Sequence, residues 1–210
     1  SGRWHNAGAQ GAYGVVPDLS TFGKALANGF SVSALAGKRE YMRLGGLDHH
    51  DRPRVFLLST THGAETHALA AAIATIQTYK NEPVIEHLYR VGDRLRVGIE
   101  QAVNRRGLNE QVPLMGRSCC LLFGSRDAEG QPSQAFRTLF LQETIRRGII
   151  MPSLVVSYSH SDEDIDRTID AVDGALEVYV RALDEGVEKY LVGRPSQVVQ
   201  RRFNTPENAK

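Results

Sequence analysis

The sequence predicts an α/β protein, on three observations. Short apolar runs such as Ser33-Ala34-Leu35-Ala36-Gly37 and Val55-Phe56-Leu57-Leu58 have the length and punctuation of buried strands. Longer stretches place apolar residues at helical spacing, most clearly Val84, Leu88, Val91, Leu95, Ile99 and Val103. The two kinds of segment alternate, which is the pattern of helices layered against strands.

The glycine-rich opening, residues 1–14, spaces Gly8, Gly11 and Gly14 suggestively. A dinucleotide fingerprint would need a strand before it and a helix after it; neither is legible, so the segment reads as loop. Val15-Val16 ends an extended stretch, because Pro17 pushes its predecessor towards β geometry. Asp18-Leu19 then leads into a strand or turn that delivers Lys24. Residues 33–37 read as a buried strand and 38–42 as a brief helix. Residues 45–51 gather Asp48, His49, His50 and Asp51 without the separated spacings of a zinc site, and their glycines mark a loop, so no metal is expected.

The strand over 55–58 runs into Ser59-Thr60-Thr61-His62-Gly63-Ala64-Glu65. These hydroxyls and backbone amides suit either a phosphate or simple capping of the helix predicted over 66–80. Leu69, Ala72, Ile73, Ile76 and Tyr79 form that helix's predicted core face. Asn81 and Pro83 restart a second helix, which carries the Val84–Val103 stripe as core and ends at Gly107. Further on, 118–123 reads as a strand and 124–132 as a hairpin or loop. Ser133 caps a helix bearing Phe136, Leu139, Phe140 and Ile145, and 148–151 and 154–157 read as two short strands around Pro152-Ser153. Ser161, followed by Asp162, Glu163 and Asp164, opens the last helix, with Ile165, Ile169, Val172, Leu176, Tyr179 and Leu183 facing inward.

Bulk properties narrow the function. At 210 residues and 41% hydrophobic content the chain can bury a substantial core, and its formal net charge of +1 offers no basic field for nucleic acid or an anionic membrane. No apolar run approaches the roughly 18 residues of a membrane span, and the N-terminus lacks a signal pattern, so the expected compartment is cytoplasmic. Cys119 and Cys120 are adjacent in an apolar run, a poor geometry for a structural disulfide, and reduced thiols are expected.

The residue of most chemical interest is Lys24. Gly23 and Ala25 leave room beside it for a flat ligand, and a lysine used as a nucleophile needs its amine deprotonated part of the time. Spacing alone favours an ordinary exposed lysine on a short amphipathic helix.

The ordered run Gly8-Ala9-Gln10, Tyr13-Gly14-Val15-Val16-Pro17-Asp18-Leu19-Ser20-Thr21-Phe22-Gly23-Lys24 resembles the lysine region of class III pyridoxal-phosphate aminotransferases, most closely the glutamate-1-semialdehyde 2,1-aminomutase subgroup. Tyr158-Ser159-His160-Ser161, with the acidic helix start that follows, is similar to that family's C-terminal segment. The resemblance implies the C-terminal part of a fold-type I transferase: the end of a cofactor-binding large domain over 1–80, a small α/β domain over 81–190 and a tail over 191–210. It implies pyridoxal 5'-phosphate as cofactor, held by Lys24 as a Schiff base, and amino-group transfer with a small-molecule amino donor or acceptor. Ser59-Thr60 matches a pair whose threonine contacts the cofactor phosphate of the neighbouring subunit, which implies a homodimer. Relatives often continue with Gly-Asn-Pro where this chain has Gly63-Ala64-Glu65. Because the resemblance begins in mid-domain, the chain is expected to be the C-terminal half of a longer enzyme, inactive or poorly active alone. Decarboxylase or racemase chemistry on the same lysine, or a non-catalytic dimerisation fragment, are the alternatives.

Overall fold

The computed structural model describes residues 2–45, 51, 53, 63 and 65–197, and the chain divides into two compact units, residues 1–86 and 87–210.

The first unit opens with a helix where the sequence reads as loop. α1 (Gly8–Tyr13) has no side-chain cap at Ala7 and is closed by Gly14 in the left-handed region. A single turn needs local closure, not an apolar stripe. Here Val15 N–H donates to Gln10 O at 2.9 Å, and Ser20 Oγ donates to Gln10 Oε1 at 2.7 Å. β1 (Leu19–Phe22) pairs antiparallel with β2 (Ala34–Gly37), Leu19 opposite Gly37 and Phe22 opposite Ala34. The expected strand at 33–37 thus forms, but all four residues of β2 are exposed, so it is not the buried strand its composition suggests. α2 (Arg39–Met42) follows.

α3 (Thr66–Asn81) departs from the expected core face. Ala68 and Ala72 are buried, while Leu69, Ile73 and Ile76 are 42%, 57% and 47% exposed. The helix packs against the 3-10 turn Lys24–Leu26 and buries its alanine row. Alanines permit that close approach; the aliphatic stripe points elsewhere. Asn81 ends α3 and does not cap the next helix. The segments at 46–50 and 55–62 lie outside the described residues, and with them the strand expected at 55–58.

The second unit is organised by α4 (Val84–Arg105) and α6 (Asp162–Glu185). The stripe expected on α4 is buried throughout, no member being more than 4% exposed. Gly107 closes the helix at φ 68°, its N–H on Asn104 O. α4 and α6 are joined by ion pairs that advance in the same direction along both: Arg90 with Asp162 at 2.6 Å, Arg94 with both oxygens of Asp166 at 2.8 Å, and Arg106 with Asp173 at 2.9 Å. Between them a Cβ at Gly98 would collide with Ile169, so glycine sets how closely the helices approach there.

Residues 118–123 are not one strand. β3 (Leu114–Arg117) pairs antiparallel with β4 (Cys120–Phe123) around a turn at Ser118-Cys119, and that turn lies against Gly92 of α4, where a side chain would leave no room. The strands expected at 148–151 and 154–157 are also absent. Pro152 has no N–H to donate, and the one ladder contact is the bridge from Leu154 to Leu121. Met151, Leu154 and Val156 are nonetheless buried.

α5 (Gln134–Arg146) starts at Ser133, whose Oγ accepts from Phe136 N–H at 3.3 Å. α6 starts at a full capping box: Ser161 Oγ accepts from Asp164 N–H and Asp164 Oδ2 accepts from Ser161 N–H. The two helices pack through Phe136 and Tyr179, whose ring centroids are 4.6 Å apart. Tyr179 is fully buried, and its hydroxyl accepts from Arg126 N–H and donates to Arg126 O, tying the 124–132 loop to α6; burial keeps the phenol neutral far above its usual range. Among the described residues Glu143 is the buried charge. Burial pushes its carboxyl up, but hydrogen bonds from Arg147 and Gln142 and the charges of Arg146 and Arg147 bring it below the usual carboxylate range. Cys119 and Cys120 are free thiols. Among the described residues no helix is long and apolar enough to cross a membrane.

Candidate functional site

Lys24 sits where β1 ends. β1 stops at Phe22, Gly23 is extended, and Lys24 opens the 3-10 turn Lys24–Leu26. Its backbone is left-handed, φ 52°, a conformation that costs an L-residue roughly 1–2 kcal/mol. Asn28 four residues on is the other non-glycine in that region among the described residues, and asparagine tolerates it. A bulky lysine held in a strained conformation at a strand end is the kind of outlier that points to function. The side chain is exposed, and among the described residues it forms no ion pair.

The strand pair and the turn are held separately, the pair at its Leu19–Gly37 end and the turn beyond Phe22. Lys38 N–H donates to Asp18 O at 2.9 Å, and Lys38 Nζ lies 2.5 Å from Asp18 Oδ1, closing the open end of the β1–β2 pair. Ala27, 2% exposed, seats the turn in unit 1, and Phe30 meets the His67 ring edge-on at 5.5 Å. The Asp18–Lys38 clamp was missed by motif reading. Its signal was available: opposite charges immediately outside two runs of strand character. A groove of about 290 Å³, lined by Gln10, Val16, Ser20, Phe22 and Gly37 among others, runs along β1; Lys24 does not line it.

Of the predicted site residues, the structure therefore places Lys24. Ser59 and Thr60 lie outside the described residues, and the helix they precede, α3, is the one against which the Lys24 turn packs. Among the described residues no three His, Cys, Asp or Glu side chains are grouped to hold a metal ion. What the placed residues offer chemically is a primary amine, accessible, at a fixed point beside a glycine whose Cβ position is open save for Val32 O at 3.9 Å. That donor suits a carbonyl-bearing cofactor or substrate.

Comparison with known proteins bears on the same region. A family model described as aminotransferase class-III matches residues 1–176. A 3-aminobutyryl-CoA aminotransferase of Cloacimonas acidaminovorans is 31% identical over 172 residues, covering 80% of this chain and 39% of that protein. A glutamate-1-semialdehyde 2,1-aminomutase of Desulforudis audaxviator is 33% identical over 184 residues, covering 83% and 41%. The chain thus spans about two-fifths of the length of these curated relatives. Among solved structures, a transaminase with PLP bound aligns at TM-score 0.74 and 21% identity, over 88% of this chain and 43% of its own. The PLP internal aldimine form of the Sphingopyxis sp. MTA144 FumI protein aligns at 0.71 and 24%, over 85% and 41%. These likenesses establish the α/β architecture of fold-type I transferases for the chain, and with the family match over 1–176 the conclusion is plain: the chain belongs to the class-III aminotransferase family.

Proposed function

We propose that the protein serves as a pyridoxal-phosphate-dependent aminotransferase or aminomutase of the glutamate-1-semialdehyde 2,1-aminomutase kind, with Lys24 as the cofactor's covalent anchor. The observation that carries this is Lys24 itself, an exposed amine on a left-handed residue at the end of β1, inside the family-matched region. Aminotransferase chemistry is supported by the Cloacimonas relative and the aminomutase variant by the Desulforudis one.

When bound, pyridoxal phosphate supplies an electron sink for bond breaking at the substrate's amino carbon. The chain's own residues do the rest. Lys24 Nζ would hold the cofactor, and as a free amine it would take a proton and return it. The buried Ala27 seats the turn that carries that nitrogen. Ser59 and Thr60 would serve a cofactor phosphate, Thr60 that of a second copy, so the working assembly is a homodimer acting on a small-molecule amino donor and acceptor. The exposed Leu69, Ile73 and Ile76 support a reading in which unit 1 is covered by further protein.

Lys24→Ala in the full-length protein tests the assignment. The expected result is loss of the visible absorbance of the lysine-bound cofactor together with turnover; retention of both would refute it. A folded protein that never takes up the cofactor would instead support a non-catalytic dimerisation domain.

A further inference from the structure

The family match ends at residue 176, and the segment that follows α6 lies beyond it. That segment is not loose. Val187, 7% exposed, begins a 3-10 turn, and the Tyr190 ring lies 6.0 Å from the Arg181 guanidinium. Next, Gln142 of α5 grips the main chain at two points: its Nε2 donates to Tyr190 O at 2.9 Å and its Oε1 accepts from Val192 N–H at 2.8 Å. One turn back, Thr138 Oγ1 accepts from Ser196 N–H at 2.9 Å, and another turn back Gln134 Oε1 accepts from Ser196 Oγ at 3.2 Å. Gln134, Thr138 and Gln142 are spaced four residues apart and so form one row of the helix surface. The segment runs along it antiparallel to α5.

Main-chain hydrogen bonds to side chains hold this segment, with little apolar burial: Val192 is 73% exposed and residues 193–197 are exposed. Such an element opens at much lower cost than the helices beneath it. Gln142 also donates to Glu143 Oε1 at 3.0 Å, so its amide is oriented by the buried carboxylate. We propose that residues 190–196 form a strap that opens and closes as one unit over α5, with Gln142 as its latch, independently of the helix core. This does not depend on the cofactor assignment.

Amide hydrogen exchange on the full chain, read residue by residue, tests it. In the wild type, Val192 and Ser196 should be protected to a similar degree, both less than core amides such as Leu176. Gln142→Ala should speed both about tenfold, as expected for losing two hydrogen bonds, with Leu176 unchanged. Ser196→Pro, which deletes the far N–H and the hydroxyl contacts to Thr138 and Gln134 while leaving the residues of α5 unchanged, should speed Val192 as well. Exchange at unprotected-chain rates in the wild type, a change confined in either variant to the altered contact, or loosening of the helix core would each overturn the proposal.

Discussion

Two aliphatic stripes on two neighbouring helices meet opposite fates. On α4, Leu88, Val91, Leu95, Ile99 and Val103 are all buried; on α3, Leu69, Ile73 and Ile76 are half exposed. The described residues of 87–210 close a core of their own, whereas the described residues of 1–86 bury mainly alanine, with Tyr13, Val15, Val16 and Phe30 at the surface. The difference teaches that an apolar period marks a face that wants cover, without saying which part of the assembly supplies it. In a class-III aminotransferase chain that spans two-fifths of its relatives, the self-sufficient unit is the one without the lysine.

The sharpest test of that contrast is a matched pair of truncations. Phe140→Ala, at a side chain 2% exposed, should cost about 3–5 kcal/mol in urea denaturation. Ile73→Ala should stay within about 0.5 kcal/mol in this chain; a cost like that of Phe140 would show that the α3 stripe is already covered.

Next in size is Glu143. Glu143→Gln removes a buried charge shared by Arg146 and Arg147 and should cost roughly 1–3 kcal/mol at pH 7. Because its folded carboxyl lies below the usual range, this stability is present above the unfolded-state pKa and is lost as pH falls through the folded value. The gap between wild type and Glu143→Gln should therefore shrink as pH falls below the ordinary glutamate value of about 4.3. A gap constant with pH would mean that the charge is not what stabilises.

Ser161→Ala, which breaks the capping box of α6, should cost about 1 kcal/mol by the same denaturation. In unit 1, Lys24→Gly should be more stable than Lys24→Ala by about 1 kcal/mol, since glycine alone relieves the left-handed strain. Equal stabilities would mean that the turn relaxes. The smallest effect is expected for Arg94→Ala, an exposed pair with Asp166, and it should fade further in high salt.

Much of unit 2 was legible because its signals are local or strictly periodic: the α4 stripe, Ser133 and Ser161 as caps, Gly107 as a stop. The misreadings have physical causes. The turn at Ser118-Cys119 hides inside an apolar run, since both residues are buried there. Pro152 deprives its neighbours of a ladder donor, so residues of strand composition stay irregular. The α1 turn is closed by Gln10 contacts that no period announces. At the site, resemblance located Lys24, while its left-handed backbone emerges only in three dimensions; the Asp18–Lys38 clamp left a sequence signal in its opposite charges.

The proposed anchoring of the cofactor by Lys24 has a direct test. Incubating the protein with pyridoxal phosphate, reducing with borohydride and mapping the modified peptide tests it most directly. A single reduced phosphopyridoxyl adduct on Lys24, absent from Lys24→Ala, is the predicted result; a folded protein labelled at Lys38 or another lysine instead, or not at all, would contradict it.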